Sequence, residues 1–296
     1  MIISASYRTD IPAFYSAWLR TRIAAGYAMV RNPYSGKPSR VGLGPGEVDG
    51  YVFWTRNARP ARHIFEALAQ DGVPFVVQYT VTGYPSALEQ RVPPVEDALA
   101  EIVSLAKQFG PRTVVWRYDP VFWSSLTPPE FHRENVARLS HALAGSVDEV
   151  TVSAAHIYRK TRRNTEESAR RNRFDWRDPE PEEKAALLRE LAGIASEAGL
   201  RPTLCSQPDL LGGAFSPARC IDADRLAEIA GRPLKVRQKG NRPGCLCAES
   251  RDIGSYDSCP HGCVYCYAVD RRERAKTAVK RHDPAGETLM PPAPAE

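Results

Sequence analysis

The sequence has no apolar run long enough to cross a bilayer, which excludes a helical membrane anchor within it. Its first residues, Met1-Ile2-Ile3-Ser4-Ala5-Ser6, lack a basic region and a long apolar stretch. They predict a strand rather than a signal peptide, and with it a cytoplasmic protein that has no membrane partner. No Gly-x-Gly-x-x-Gly follows that strand, which argues against a dinucleotide-binding sheet, and no P-loop or serine or cysteine hydrolase arrangement is present. Paired Cys-x-x-Cys knuckles, the commoner signature of a structural zinc site, are also missing.

What is present is ample material for one core: 296 residues, of which 43% are hydrophobic. Apolar or β-branched runs alternate with helical spacing. Strands are expected at Met1–Ser6, Tyr27–Arg31, Tyr51–Trp54, Phe75–Thr80, Thr113–Tyr118, Glu149–Ser153 and Arg201–Cys205, with a short eighth at Leu234–Arg237. Helices are expected at Ala13–Ala25, Ala61–Gln70, Val95–Phe109, Pro129–Leu143, Glu182–Ala198 and Ala223–Ala230. The fifth opens on alternating Pro and acid from Asp178 and stops before Gly199, as helix ends prefer. Alternation of this kind means a parallel sheet. The number of units fits an α/β fold of the TIM-type (β/α) barrel, complete or partly open.

The expected strand ends carry polar groups. Arg8 and Asp10 follow the first strand, Arg117 and Asp119 end the fifth, His156 follows the sixth, and Cys205 ends the seventh. In a parallel barrel these ends share one face, where ligand-binding groups collect. Arg8 with Asp10, and Arg117 with Asp119, are candidates to clamp a carboxylate or to pair across the mouth. His156 is a candidate proton carrier, with a buried histidine bonded to backbone as the simpler reading.

Seven cysteines in a reducing compartment point to metal or redox chemistry rather than disulfides. Cys259, Cys263 and Cys266 are packed into one short loop, with Tyr265 before the last thiol. Three thiolates are one fewer than a cubane cluster has irons, so one iron would stay open. Zinc is the rival, with Cys245, Cys247 and His261 near enough in sequence to complete a closed site. Cys205, Cys220, Cys245 and Cys247 could close a second cluster or a zinc site of their own, or Cys205 and Cys220 could be buried apolar residues.

Cys-x-x-x-Cys-x-aromatic-Cys resembles the cluster motif of the radical S-adenosylmethionine superfamily. The resemblance implies that Cys259, Cys263 and Cys266 hold a [4Fe–4S] cluster, that S-adenosylmethionine binds its open iron, and that Tyr265 lies near the adenine. It also implies an electron donor such as flavodoxin or ferredoxin. More widely, Ser4-Ala5-Ser6-x-Arg8-Thr9-Asp10, Trp116-Arg117-Tyr118-Asp119-Pro120, Cys220-Ile221-Asp222 and Cys245-x-Cys247 through Asp252-Ile253-Gly254 resemble an uncharacterised bacterial family, domain of unknown function 1848. Its members carry a C-terminal cysteine cluster of this kind. Two features depart from the superfamily: the cysteines follow the last strand instead of the first, and no Gly-Gly-Glu is evident.

The organisation read from this is a barrel over 1–238, a cysteine-rich iron–sulfur segment with a basic helix over 239–282 packed on it, and a disordered tail over 283–296. Basic clusters at Arg159–Arg173 and Arg271–Arg281 are compatible with nucleic acid but read more simply as solvated loop and helix surface. Substrate identity is not encoded in any of these motifs.

Overall fold

A computed structural model describes residues 1–290. Eight strands form one all-parallel sheet: β1 (Ile2–Ala5), β4 (Gly50–Thr55), β5 (Phe75–Thr80), β6 (Val114–Val121), β7 (Glu149–Ala154), β8 (Arg201–Leu204), β9 (Ser216–Pro217) and β10 (Ser250–Asp252). Their order, β10-β1-β4-β5-β6-β7-β8-β9, is consistent with a TIM-like barrel, but β9 and β10 are not hydrogen-bonded to each other. The helices are α1 (Ile11–Phe14), α2 (Ser16–Ala25), α3 (Arg62–Gln70), α4 (Val95–Phe109), α5 (Pro129–Leu143), α6 (Arg159–Asn172), α7 (Pro181–Glu197), α8 (Ala223–Ala230) and α9 (Arg272–Arg281). Among the described residues no helix is long and apolar enough to cross a membrane.

The strands read as unbroken apolar runs because both faces are buried. One set of alternate residues (Ile3, Phe53, Val77, Trp116, Val150) joins the large core beneath the outer helices. The other set (Ile2, Val52, Val76, Val115) meets Leu226, Ile221 and three cysteines in a second, smaller core. Helix α8 is capped by Asp222, whose carboxylate accepts from the amides of Asp224 and Arg225. It plugs the end of the sheet opposite the polar mouth, where buried Arg225 pairs with Asp148 at 2.8 Å and Glu149 at 2.6 Å. Gly50 lies close beneath it: a Cβ there would stand 3.1 Å from Leu226 and 3.0 Å from the Pro74 carbonyl.

Several expectations need correction. Tyr27–Arg31 is a strand (β2), but it pairs antiparallel with β3 (Pro38–Gly42) in a hairpin outside the main sheet. Leu234–Arg237 is not a strand; β9 and β10 complete the sheet instead. Ala13–Ala25 is broken at Tyr15 into α1 and α2. The Arg159–Arg173 cluster is not a loop but helix α6. Its inner face is Thr161, Thr165 and Ser168, so it buries hydroxyls where an apolar stripe would be expected.

The expected disordered tail is folded through Met290. Met29 N–H donates to the Glu287 carbonyl at 2.9 Å, the Trp18 indole donates to the Gly286 carbonyl at 2.9 Å, and Leu289 is buried. Residues 291–296 lie outside the described residues.

Candidate functional site

The C-terminal ends of β1, β4, β6, β7 and β8 surround a cavity of about 380 Å³. The chain after Lys239 covers it, and all seven cysteines reach its wall. The polar mouth expected from the strand ends therefore exists, but its pairings differ from those the sequence suggests.

Asp10 does not pair with Arg8. Its carboxylate caps α1 through the Ala13 amide at 2.9 Å and accepts from Thr55 Oγ1 at 2.8 Å and the Arg56 amide at 2.8 Å. It also faces His261 Nε2 at 2.7 Å, while His261 Nδ1 faces the Arg91 carbonyl at 2.9 Å. Both ring nitrogens are therefore engaged by protein partners, one by a carboxylate and one by a carbonyl. His261 thus has no free nitrogen for a metal, which removes it from the zinc set proposed with Cys245 and Cys247. Instead it pins the cysteine loop to β1.

A second anchor holds the loop to β4. Arg56 bonds Glu89 at 2.8 Å and the Tyr265 hydroxyl at 2.8 Å. That hydroxyl in turn donates to Glu89, which also accepts from Thr82 at 2.6 Å. The Tyr265 phenol is therefore spent on protein contacts, although its ring lines the cavity. Burial raises all three loop thiols: Cys259 well above the usual range with Asp10 adding to it, Cys263 to about 12 against the pull of Arg56, and Cys266 against its bonds from the Ala268 and Val269 amides.

Arg8 turns instead toward Asp252, at 3.7 Å, and lies over the rings of Tyr7 and Tyr256. Asp252 is a hub that sequence reading missed as a site residue. It accepts from Ser4 Oγ at 2.5 Å, Ser6 Oγ at 2.8 Å, the Tyr7 amide at 3.1 Å and the Gly254 amide at 2.9 Å. Burial raises its carboxyl despite these partners. Gly254 is obligatory here, because a Cβ would fall 2.0 Å from Ser6 Oγ.

Arg117 and Asp119 do pair, as one of the two expected alternatives has it, and Ser153 donates to the same carboxylate. Arg117 Nη1 also donates to Gln78 at 3.0 Å and to the Cys220 sulfur at 3.1 Å. His156 is not a buried, backbone-bonded ring. It is exposed at the cavity rim, 3.3 Å from Gln207 Nε2, and desolvation with nearby Arg242 and Lys184 lowers its pKa.

The other four cysteines gather opposite the loop. Cys205 and Cys220 sulfurs are 3.4 Å apart, and the Ile221 amide donates to the Cys247 sulfur at 3.3 Å. Bonding from Cys247 pushes Cys245 down to about 6, and Cys247 is pushed up to about 12 by Cys245 and burial, against its bond with Cys220. Among the described residues, no three His, Cys, Asp or Glu side chains already stand around a common metal position.

Behind the cysteine loop is a separate cavity of about 390 Å³, whose wall includes Arg163, Arg171, Arg271 and Arg272. The two basic clusters, far apart in sequence, meet there. Arg163 bonds Asp270 at 2.8 Å and so ties α6 to the chain following the cysteines. Glu89 and Asp252 carried no spacing signal as site residues, whereas Arg56 follows the expected strand Tyr51–Trp54 among the polar strand ends. For Asp252 and Gly254 the one available hint was their place just ahead of the thiol loop.

The profile of a family described as "Domain of unknown function (DUF1848)" matches residues 2–268. No curated protein matches the chain. Among solved structures, a D-hydantoinase is similar at 11% identity and a TM-score of 0.33, covering 77% of this chain and 44% of that one. Dihydropyrimidinase from Brevibacillus agri is similar at 11% identity and a TM-score of 0.32, covering 74% and 39%. The chain thus spans less than half the length of these two proteins, and similarity at that level decides nothing about chemistry.

Proposed function

The chain belongs to the DUF1848 family, whose description names no reaction, and we propose from its own residues that it is a radical-SAM-like iron–sulfur enzyme. We read the scaffold as a TIM-type barrel with its site at the strand ends. Cys259, Cys263 and Cys266 would hold a [4Fe–4S] cluster, and S-adenosylmethionine would occupy the adjoining cavity. The observation that carries this reading is that the three thiols of the Cys-x-x-x-Cys-x-x-Cys loop open onto the cavity that also receives the polar strand ends. When bound, such a cluster supplies an electron that cleaves S-adenosylmethionine and so starts hydrogen abstraction from a substrate.

The chain's own residues then have distinct tasks. The Asp10–His261 pair and the Arg56–Glu89–Tyr265 network fix the loop on two strands, so the thiols are positioned before anything binds. Arg8 has no bond to its buried Nε, and it faces the cavity as a cation that can receive a carboxylate. Tyr265 presents a ring face but no hydroxyl. His156, kept neutral at the rim, can carry a proton between the cavity and solvent. The outer arginine cavity suits an acidic electron donor such as a flavodoxin or ferredoxin.

The test is anaerobic reconstitution with iron and sulfide, followed by dithionite and S-adenosylmethionine. The expected product is 5′-deoxyadenosine; its absence from protein carrying a complete cluster sinks the reading. A second reading, a metal-stapled protein that binds nucleic acid, is favoured only by the convergence of the basic clusters on one cavity. It requires binding to single-stranded DNA or RNA that weakens steeply with salt.

A further inference from the structure

The parallel sheet has two free ends, and the four cysteines outside the loop lie where those ends meet. Cys220 comes just after β9, Cys247 comes just before β10, and Cys205 follows β8. Strands β9 and β10 are not paired with each other. What crosses the gap is the Ala248 amide donating to the Ile221 carbonyl at 2.9 Å and the Ile221 amide donating to the Cys247 sulfur at 3.3 Å. We propose that Cys205, Cys220, Cys245 and Cys247 bind one zinc ion, which closes the barrel at the seam that hydrogen bonding leaves open.

Three observations support zinc there. The first is spacing. The 3.4 Å between the Cys205 and Cys220 sulfurs is close to the edge of a zinc–thiolate tetrahedron, ~3.8 Å for Zn–S bonds of ~2.3 Å. A cubane spreads its thiolates over four metal atoms and needs them much farther apart. The second is charge. Sulfur is a weak acceptor unless ionised, yet Arg117 donates to Cys220 at 3.1 Å and Arg242 to Cys205 at 3.4 Å. Four thiolates around a divalent ion leave a double negative charge, and these two guanidiniums stand beside it. The third is place: thiols that merely filled space would have no reason to collect on both sides of the gap between the two ends of the parallel sheet.

Cys205 and Cys220 already touch, and Cys247 lies beside them through its bond from the Ile221 amide, while Cys245 stands farther along the same cavity wall. Binding would draw the four sulfurs together, and the thiol protons would leave to solvent. Cys245, half-buried on the loop after Lys239, is the sulfur that must move to complete the site. This inference does not depend on a cluster at Cys259, Cys263 and Cys266, and its test separates the two.

The protein to assay is the full chain carrying Cys259→Ala, Cys263→Ala and Cys266→Ala, analysed for zinc, iron and sulfide. The expected result is one zinc per chain with no iron, and loss of that zinc on adding Cys220→Ser or Cys247→Ser. Should those buried changes prevent folding, Cys245→Ser at the half-buried end is the substitute. Cobalt titration of the metal-free protein gives an independent readout, the intense thiolate-to-cobalt absorption of a tetrahedral sulfur site. Three results would overturn the proposal: no zinc and no cobalt spectrum, iron with sulfide in the triple variant, or a Cys205–Cys220 disulfide found by mass in freshly isolated protein.

Discussion

The two cysteine groups face each other across one cavity, yet they are built on opposite principles. The loop thiols of Cys259, Cys263 and Cys266 are held from outside, by charged side chains of β1 and β4 and by backbone amides. At the seam, the Cys205 and Cys220 thiols touch each other directly and each accepts from a guanidinium. Thiols in mutual contact suit a small ion whose role is to fasten chain segments together. Thiols set by a surrounding frame suit a larger group that must present an open side. The difference teaches that cysteine spacing in sequence is a poor guide to ligand type until the frame around each sulfur is known.

Asp252 joins the two groups, because β10 is the strand that leads from Cys247 toward Cys259. The largest expected effect is therefore that of Asp252→Ala. It strands two buried hydroxyls, two amides and Arg8, and should cost about 3–5 kcal/mol in urea unfolding. Metal retention should fail on both sides at once. Loss confined to one side would show that the groups are independently framed.

His261→Ala acts on one side only. It leaves Asp10 with its amide and hydroxyl donors, so the fold should lose roughly 1–3 kcal/mol. Iron retention after reconstitution should drop while zinc at the seam is unchanged. Equal loss of both metals would erase the distinction drawn above.

Acid titration probes the aromatic layer that backs Tyr265, through Tyr84 and Phe122. Burial pushes His132 down to about 4, between the Tyr118 hydroxyl and the Phe122 carbonyl. The fold favours the neutral ring, so this stability is complete above the unfolded value of about 6.5 and is lost as pH falls toward 4. At pH 5 the loss should be on the order of 2 kcal/mol. A His132→Gln variant should show a flatter urea-midpoint profile over this range; an unchanged slope would assign the acid sensitivity to other groups.

The smallest effect is one of rate. In metal-free protein, iodoacetamide should label Cys245 first, half-maximally near pH 6, because its thiol is pushed down to about 6. Burial raises the loop thiols, which should react more slowly at neutral pH. Peptide mass mapping over time reads the order directly, and simultaneous labelling would contradict the electrostatic contrast.

Much of the scaffold was legible in the sequence because burial on both faces leaves apolar strands that periodicity detects. Helices α4, α5 and α8 fall at Val95–Phe109, Pro129–Leu143 and Ala223–Ala230, as their spacing predicts. What escaped had a different physical basis. Helix α6 packs through Thr161, Thr165 and Ser168, so no apolar stripe marked it. The very short β9 and β10 are strands by pairing rather than by composition. At the site, the polar strand ends were found but not their partners. Arg8 reaches Asp252 and Asp10 reaches His261 across hundreds of residues, and local spacing carries no information about that choice.

The pairing of β1 with β10 also has a consequence in time. β1 is made first and its neighbour on one side comes from Ser250–Asp252, near the far end of the chain. During synthesis that edge must wait, unpaired and apolar, until every other strand of the sheet has emerged. Both cysteine groups complete only then, and the stretch through Met290 folds back over the first helices last of all. Metal at either cysteine group, as proposed above, could therefore be inserted only after the last strand of the sheet has formed.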